Sequence, residues 1–533
     1  MEMAIMMCAV VIAVCILTNK FTSKLGIPAV LLFMGIGMLF GSEGLVKIPF
    51  DDFKAAERIC SAALVFIMFY GGFGTNFKAA KPVLGKAVSM ATLGVLITAG
   101  VTGIFCHLVL EMSIQEGLLI GAVIGSTDAA SVFSILRSKN LSLKEGTASL
   151  LEVESGSNDP FSYMLTMAVL SWMGGEGQNI FLMVIRQLGF GIMFGVGLGI
   201  LAVQIFERIE FDIEGADTIL MAAMVLFSYA GPAFLGGNGY LSVYLLGMIV
   251  GNANFGNKIS LIHFFEGIDK LAQILIFFLL GLLVFPSELL PMLSKAVVIF
   301  LGLTCIARPL ATILLLAPFR SSVRQQLLVS FSGLRGAASI VFAIMVTVNP
   351  VYTKSYVFNV VFCVALISVA FQGMLLPYVS RKLDMIDTEQ TVMKTFSDYQ
   401  EEQQMQLLQI RLKEGHKYIG KKIRDLKLGG ILAVLIEREG EAIIPRGEVT
   451  LKEGDVLVLS GESYQGAQDT VLDEQRIEKG DTRIGKQICE MKNPQNRLIV
   501  LIRRSDKTTV IPKGDTKIYE GDTLIFSTGE RQG

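Results

Sequence analysis

Residues 150–163 read LLEVESGSNDPFSY and lie inside a long apolar run of the chain. A charged side chain in the middle of a membrane-spanning helix costs about 2.5–3.5 kcal/mol, so an intramembrane carboxylate predicts a functional site. Ser155 and Asp159 are four residues apart and share a helix face, as do Glu154 and Asn158. This stretch therefore predicts a helix that carries a concentrated polar site.

Pro160 directly follows the acid. Because proline has no N–H and clashes with the carbonyl four residues earlier, we expect a kink that frees the carbonyl of Gly156 beside Asp159. A monovalent cation prefers oxygen ligands, and Asp159, Ser155 and Thr127 are the candidate metal ligands. Two alternatives remain: Asp159 only pairs between helices, or the hydroxyls only bond within their own helix or to a neighbour.

Two further apolar runs carry polar residues between glycines. Residues 121–133 read GAVIGSTDAASVF, with Thr127 followed by Asp128, and residues 328–342 read LVSFSGLRGAASIVF, with Arg335 between two glycines. Segments 121–130 and 333–339 are typical of discontinuous helices whose ends meet near the membrane midplane, where helix dipoles face Asp128 and Arg335. The alternative is that these glycines only permit close helix packing.

A buried guanidinium needs an acidic partner. We predict that Arg335 pairs with Glu154 and that this ion pair is mainly structural. Arg308, in the segment IARPL, is a second intramembrane cation, and the sequence names no partner for it.

The chain as a whole is that of a polytopic membrane protein. Of its 533 residues 52% are hydrophobic and 17% are charged, and the charges concentrate after residue 384. The net charge of −1 and the lack of a long basic run exclude a nucleic-acid partner. A helix that crosses the membrane needs about 20 apolar residues, and by that measure residues 1–382 form an all-α transmembrane domain with about thirteen spans. The predicted spans are 3–18, 25–42, 58–75, 86–110, 114–136, 147–172, 180–206, 217–235, 238–252, 262–285, 290–318, 325–348 and 355–380.

The loops of this domain differ in charge. With the N-terminus outside, the connections on the cytosolic side carry most of the Lys and Arg residues, which is the positive-inside pattern. Among the outer loops, only that with Lys47, Lys54 and Arg58 departs from it. The sequence thus predicts an external N-terminus and a cytosolic tail. The cytosolic set is Lys20, Lys24, Lys78, Lys81, Lys86, Arg137, Lys139, Lys144, Arg320, Arg324, Arg381 and Lys382.

The polar tail contains an internal repeat. Residues 419–461 are echoed by residues 484–529, and each copy has an IPxG turn and an EGD turn between alternating, strand-like segments. The tail is therefore predicted to be α+β, with a linker helix at 383–406 and two modules at 407–465 and 475–531. It has no GxGxxG after a strand, so NAD binding is not expected.

The motifs STDAASV, ESGSNDP and GLRGAAS, in this order over about residues 3–382, resemble those of the cation/proton antiporter superfamily, specifically its NhaP-type Na⁺(K⁺)/H⁺ antiporters. The resemblance implies thirteen spans in inverted repeats, as in NhaA and NhaP proteins, a homodimer and elevator-like alternating access. It implies that Asp159 binds the ion with help from Ser155 and the Thr127 region, and that Asp128 lies nearby. It also implies that Arg335 holds Glu154 and Asn158.

Further resemblances bear on ion choice and regulation. Tyr70 and Gly71 stand where relatives often carry an acid, and Asn158 before Asp159 resembles the electroneutral branch. The repeats look like two RCK_C (TrkA-C) modules, which implies sensing of a ligand such as a nucleotide or cyclic dinucleotide. The alternative for these modules is dimerisation without a ligand.

The sequence therefore predicts a plasma-membrane protein that is not an enzyme and needs no cofactor. The predicted function is electroneutral exchange of K⁺, favoured over Na⁺, for H⁺, with the two ions competing at Asp159 and the tail regulating exchange. A ligand-gated cation channel fits the tail, but the chain lacks a TVGYG-type filter. A proton-coupled solute carrier fits the hydrophobic pattern but not the cluster at Asn158 and Asp159.

Overall fold

The structure is a computed structural model of the 533-residue chain. It describes residues 6, 9–17 and 28–387 with gaps at 140, 176–178, 210–212, 214, 254, 256–257 and 353–355. It also describes residues 405–529 with gaps at 413–417, 427–431, 439–440, 446, 463–469, 478–480, 482, 489–496, 505–508 and 511–515. The chain divides into two compact units, Met1–Gln400 and Glu401–Gly533.

The first unit is built of helices, as its apolar runs require in lipid. Residues 9–17 are helical, and a short helix, Phe77–Ala80, leads into the third of the labelled helices. The labelled helices are α1 (Ala29–Phe40), α2 (Phe53–Gly74), α3 (Lys81–Leu110), α4 (Ile114–Val123), α5 (Ala129–Ser138), α6 (Thr147–Gly174), α7 (Ile180–Arg208), α8 (Ala216–Phe234), α9 (Gly239–Asn252), α10 (Lys258–Leu282), α11 (Pro286–Phe319), α12 (Val323–Phe331), α13 (Ala337–Val348) and α14 (Tyr356–Lys382).

Length and composition separate these helices into two groups. Within the described residues, six helices are long and apolar enough to cross a membrane, namely α2, α3, α7, α8, α11 and α14. Four shorter apolar helices, α1, α4, α9 and α13, have 10–17 residues. The predicted spans 114–136 and 325–348 are each split into two helices, α4 with α5 and α12 with α13. The unit is a helical membrane domain, and the count of about thirteen spans stays a prediction.

The helix that carries the polar site is surrounded by other helices. α6 packs against α4, α7, α9 and α13. Contact with α9 is close because a Cβ at Gly156 would lie 2.6 Å from the ring of Tyr244. α9 in turn packs on α2, where a Cβ at Gly247 would overlap the carbonyl oxygen of Phe69. Asp159 is thus held inside the domain and away from its lipid-facing surface.

A short antiparallel pair of strands closes one end of this unit. Strand β1 (Ser142–Leu143) pairs with β2 (Ile386–Asp387). Residues 383–387 therefore form a turn and a strand, so the predicted linker helix at 383–406 does not begin there. Residues 405–406, at the other end of that prediction, belong to a strand, Met405–Arg411, and residues 388–404 lie outside the described residues.

The second unit repeats one small antiparallel sheet. Its strands are β3 (Met405–Arg411), β4 (Leu432–Arg438), β5 (Glu441–Ile443), β6 (Val456–Glu462), β7 (Thr470–Arg476), β8 (Arg497–Arg503), β9 (Thr509–Val510) and β10 (Thr523–Gly529). The first sheet has the order β3-β6-β4-β5 and the second the equivalent order β7-β10-β8-β9. A short 3₁₀ helix, Ile423–Asp425, lies in the first module.

The EGD motifs occupy equivalent turns of the two modules. Gly454 and Gly521 both have a φ of +85°, a left-handed conformation that favours glycine. The following aspartates, Asp455 and Asp522, are buried. The IPxG motif of the second copy, residues 511–514, falls outside the described residues.

Candidate ion-binding site

Two interrupted helices meet beside α6. α4 ends at Val123 and α5 begins at Ala129, and α12 ends at Phe331 before α13 begins at Ala337. A backbone hydrogen bond from the Asp128 N–H to the Leu334 carbonyl, 2.8 Å long, joins the two unwound segments. The predicted interruptions at 121–130 and 333–339 are both present and in contact with each other.

At each break, a charged side chain faces a helix end whose partial charge has the opposite sign. Asp128 precedes α5 and accepts hydrogen bonds from the N–H of Ser131 at 3.1 Å and from its hydroxyl at 2.5 Å. Arg335 Nη1 donates to the carbonyls of Gly125 at 3.2 Å and Ser126 at 2.8 Å, just beyond the C-terminal end of α4. A carboxylate at a helix N-terminus and a guanidinium at a C-terminus each stabilise the partial charge that they face.

The central carboxylate, Asp159, faces the first of these breaks. It is 6% exposed and accepts a hydrogen bond from the Ser126 hydroxyl. Its neighbour Asn158 donates to the Thr127 hydroxyl oxygen at 2.5 Å and accepts from the Thr127 N–H at 3.3 Å. The structure therefore brings the side chains of Asp159, Asn158 and Thr127 together, and adds Ser126 to them.

Ser155 fastens the unwound segment to α6. Its hydroxyl donates to the Thr127 carbonyl at 2.7 Å and accepts from the Ala129 N–H at 2.9 Å. These bonds match the predicted alternative in which this hydroxyl joins neighbouring helices. A cation that binds Ser155 must compete with these bonds, so its role as a direct ligand stays a prediction.

The predicted pairing of Glu154 with Arg335 is wrong. Glu154 Oε1 lies 2.8 Å from Nη1 of Arg308, and both side chains are buried. Arg308 also donates to the Val329 carbonyl at 3.3 Å. Arg335 instead donates hydrogen bonds to the carbonyls just beyond the end of α4. The sequence pattern does not place those carbonyls near it. Arg308, for which the sequence names no partner, is thus the cation that compensates Glu154.

Pro160 does not interrupt its helix. α6 continues through it from Thr147 to Gly174. The Pro160 carbonyl accepts a hydrogen bond of 2.8 Å from Nδ2 of Asn238, which is buried at the start of α9. Sequence reasoning missed Asn238 and Ser126. Ser126 lies next to Thr127 in a predicted break, and that position was the available signal.

The donor set suits a small monovalent cation. The site offers a carboxylate, hydroxyls and an amide oxygen, which are oxygen ligands for a hard cation. In the part of the chain that the structure describes, no group of three or more His, Cys, Asp or Glu side chains has the arrangement of a metal centre.

Half-helices that meet around a buried carboxylate define a transporter that binds its ion inside a helical membrane domain. The chain belongs to the sodium/hydrogen exchanger family, whose transmembrane model matches residues 9–382. The TrkA-C domain matches twice, at residues 407–467 and 474–532. The resemblances stated for the membrane part and for the tail are thus confirmed.

Relatives and solved structures agree with this family. The chain is 34% identical to the K(+)/H(+) antiporter NhaP2 of Shewanella sp. (strain MR-4), over 85% of this chain and 80% of that protein. It is 37% identical to the K(+)/H(+) antiporter NhaP of Alkalimonas amylolytica, over 72% and 67%. The sodium proton antiporter MjNhaP1 from Methanocaldococcus jannaschii shares the fold, with a TM-score of 0.65, 24% identity and coverage of 72% of this chain and 99% of that one.

Proposed function

We propose that the chain is an electroneutral K⁺/H⁺ antiporter in which the two ions compete for Asp159. The observation that carries this proposal is the buried Asp159 carboxylate between α6 and the α4–α5 break, with a hydroxyl donor already on it. Burial disfavours a bare carboxylate, so the site is stable when a proton or a cation neutralises it. Each ion then excludes the other, and the loaded site crosses the membrane.

The residues around Asp159 have separate roles in this mechanism. Ser126 and Thr127 supply hydroxyl oxygens to a cation, and Asn158 and Ser155 hold the unwound segment against α6. Asp128 neutralises the N-terminus of α5 beside the site. The pair of Glu154 with Arg308 keeps two buried charges compensated, which fixes α6 against α11.

The choice of K⁺ rests on two supports. Relatives at 34% and 37% identity are named K(+)/H(+) antiporters. Tyr70 and Gly71 occupy the position in α2 where the resemblance places an acid in many relatives, so that helix adds no second carboxylate there.

The remaining architecture follows the resemblance to the family. We propose about thirteen spans in inverted repeats, an external N-terminus, a cytosolic tail and a homodimer in the plasma membrane. Paired half-helices at two breaks support the repeats, and the positive loops support the orientation. The tail modules then regulate exchange by sensing a ligand, for which a nucleotide or cyclic dinucleotide is the candidate class.

Exchange by the purified full chain in proteoliposomes tests this function. A K⁺ pulse should change the internal pH of vesicles that carry the native chain. Asp159→Asn should abolish that change because the amide neither carries the exchanged proton nor compensates a cation. Asp51→Asn, at an exposed position before α2, is the matched control and should exchange normally. Undiminished exchange by Asp159→Asn would refute the proposal, and the same assay with Na⁺ measures ion preference.

A further inference from the structure

Residues 385–387, which lead to the tail, are hydrogen-bonded to the loop that precedes α6. In the β1–β2 pair, Ser142 lies opposite Asp387 and Leu143 opposite Ile386. The next rung is a hydrogen bond of 2.9 Å from the Lys144 N–H to the Met385 carbonyl. We call segments 141–145 and 383–387 together the clasp.

Apolar packing anchors the clasp in the membrane unit. Met385 is 1% exposed and belongs to one buried cluster with Leu143 and with Leu150 and Leu151 of α6. Leu376 of α14 belongs to the same cluster. The segment that leads to the tail therefore shares a buried apolar cluster with the helix that carries Asp159, and its partner strand β1 contacts that helix.

Charged groups add a second attachment. Asp384 lies 3.1 Å from Nζ of Lys144 and 2.9 Å from Nη1 of Arg324, which is in the first turn of α12. Exposed ion pairs contribute little to stability, but two cations on one carboxylate fix its position between two elements. Asp384 also has a φ of +54°, a conformation that few side chains tolerate.

Glu145 completes the link between α6 and α12. Its carboxylate accepts a hydrogen bond of 2.8 Å from the Ser322 hydroxyl, and its carbonyl accepts one of 2.9 Å from Gln325 Nε2. Gln325 Nε2 also donates to the Thr147 hydroxyl at 3.2 Å, at the first residue of α6. The clasp thus joins the starts of the two helices that lead to Asp159 and to Arg335.

We infer that the clasp is the mechanical link through which the tail acts on the ion site. The chain runs from Asp387 through residues 388–404 into β3. A displacement of the linker therefore acts first on β2. From β2 it passes to the loop between α5 and α6 and to the start of α12. This inference rests on the proposed regulation by the tail.

A double-mutant cycle in the full chain tests the link. Asp455→Asn loosens the first tail module, because Asp455 is fully buried and accepts hydrogen bonds from Arg438 Nε at 2.7 Å and Nη2 at 2.8 Å. Asp384→Ala removes both ion pairs of the clasp and puts strain into its turn. The readout is the K⁺ concentration for half-maximal exchange in proteoliposomes.

With an intact clasp, Asp455→Asn should shift that concentration about fivefold, the lower end of common allosteric couplings. In the Asp384→Ala background the same tail substitution should shift it less than about twofold. Equal shifts in both backgrounds would overturn the role of the clasp and leave tail regulation standing. If Asp455→Asn changes the half-maximal K⁺ concentration neither with the native clasp nor in the Asp384→Ala background, both tail regulation and this inference are overturned. Asp51→Ala is the matched exposed control.

A disulfide across the clasp gives the opposite perturbation. Residues opposite each other in an antiparallel pair have Cα atoms about 4.5–5.5 Å apart, which is within disulfide range. Ser142→Cys with Asp387→Cys, added to Asp384→Ala, should restore the tail effect when oxidised and lose it again after reduction. Each single cysteine variant controls for the native thiols. An oxidised clasp that leaves the tail effect absent would contradict the inference.

Discussion

At the scale of single residues, the hydroxyls around Asp159 are held in different ways. Ser126 donates to the carboxylate, whereas the Thr127 hydroxyl accepts from Asn158 and the Ser155 hydroxyl is bonded to backbone groups. A cation repels a hydroxyl proton, so binding at Asp159 requires the Ser126 hydroxyl to rotate and present its oxygen. Ser126 is therefore the side chain whose bonding changes most directly between the protonated and the cation-loaded site.

Replacement of Ser126 tests that role. Ser126→Ala should raise the K⁺ concentration for half-maximal exchange about tenfold, because it removes a hydroxyl oxygen from the bound cation and a lost polar contact to a charged group costs about 1.5–3 kcal/mol. Proteoliposome exchange at varied K⁺ measures it. Ser162→Ala is the matched control, because the Ser162 hydroxyl is equally buried but donates to the Ala122 carbonyl. Equal effects of the two substitutions would argue against a direct role for Ser126.

The buried pair of Glu154 with Arg308 should respond to loss of one partner. Arg308→Met leaves the Glu154 carboxylate uncompensated and should destabilise the membrane unit by about 3–5 kcal/mol. The double variant with Glu154→Gln should recover much of that loss, because it leaves no buried charge. Thermal unfolding in detergent measures both, with exposed Arg208→Met as control. A double variant less stable than Arg308→Met alone would contradict the pairing.

Sequence predicted the polar residues better than their partners. Glu154, Asn158 and Asp159 were found because polar groups on an apolar helix are costly. Spacing along one helix does not say which other helix lies opposite, so the pattern pairs Arg335 with Glu154, whereas the partner in the structure is Arg308. Contacts between distant segments depend on the fold.

At the scale of elements, the two breaks depend on a close approach of backbone to side chain. A Cβ at Gly336 would lie 2.5 Å from Cβ of Asp128, which caps α5. Gly336→Ala should therefore displace Asp128 from the start of α5 and lower the exchange rate about tenfold or more, as loss of a positioned cap disturbs the site.

A glycine in an open environment provides the control for Gly336. Gly197 lies within α7 with no heavy atom inside 4 Å of an added Cβ. Gly197→Ala should leave exchange unchanged and stabilise the helix by about 0.5–1 kcal/mol. The same vesicle assay and thermal unfolding compare the two variants. Normal exchange by Gly336→Ala would show that the two breaks need not touch.

The sequence located both breaks but not the resulting helix lengths. α13 has 12 residues, which at about 1.5 Å per residue is shorter than a hydrocarbon core of about 30 Å. Hydropathy stays high across residues 325–348 and does not reveal the break. The broken segment is buried in protein, where irregular backbone is tolerated. In the tail, the repeat correctly indicated two equivalent sheets because turn residues and alternation are local signals.

At the scale of the whole molecule, the stability of the tail is expected to depend on pH. The hydrogen bonds from Arg438 hold the pKa of Asp455 below its ordinary value. A lowered carboxyl pKa adds stability above the unfolded-state pKa of about 3.9 and loses it as pH falls through the folded-state pKa. Amide protection of β4 and β6, corrected for intrinsic exchange, should therefore decrease when the pH is lowered past about 4.

Two variants separate this effect from general acid unfolding. Asp455→Asn should lower protection at neutral pH and flatten its dependence on acid. Asp425→Asn, at an exposed aspartate of the same module, should retain the native profile. Hydrogen exchange of the full chain in detergent measures amide protection against pH in the native protein and in both variants. An unchanged acid profile in Asp455→Asn would assign the effect to other groups.

The net charge carried per cycle is a property of the whole transporter. One carboxylate that trades one proton for one monovalent cation moves no net charge, and Asn158, next to Asp159, adds no second acid to the site. K⁺-driven pH change should therefore be the same with and without thiocyanate, a permeant anion that dissipates membrane potential. An exchanger that moves net charge would be slowed by the potential that it creates, and thiocyanate would accelerate it. Acceleration here would mean that a second titrating group, with Asp128 the nearest candidate, joins Asp159 in the cycle.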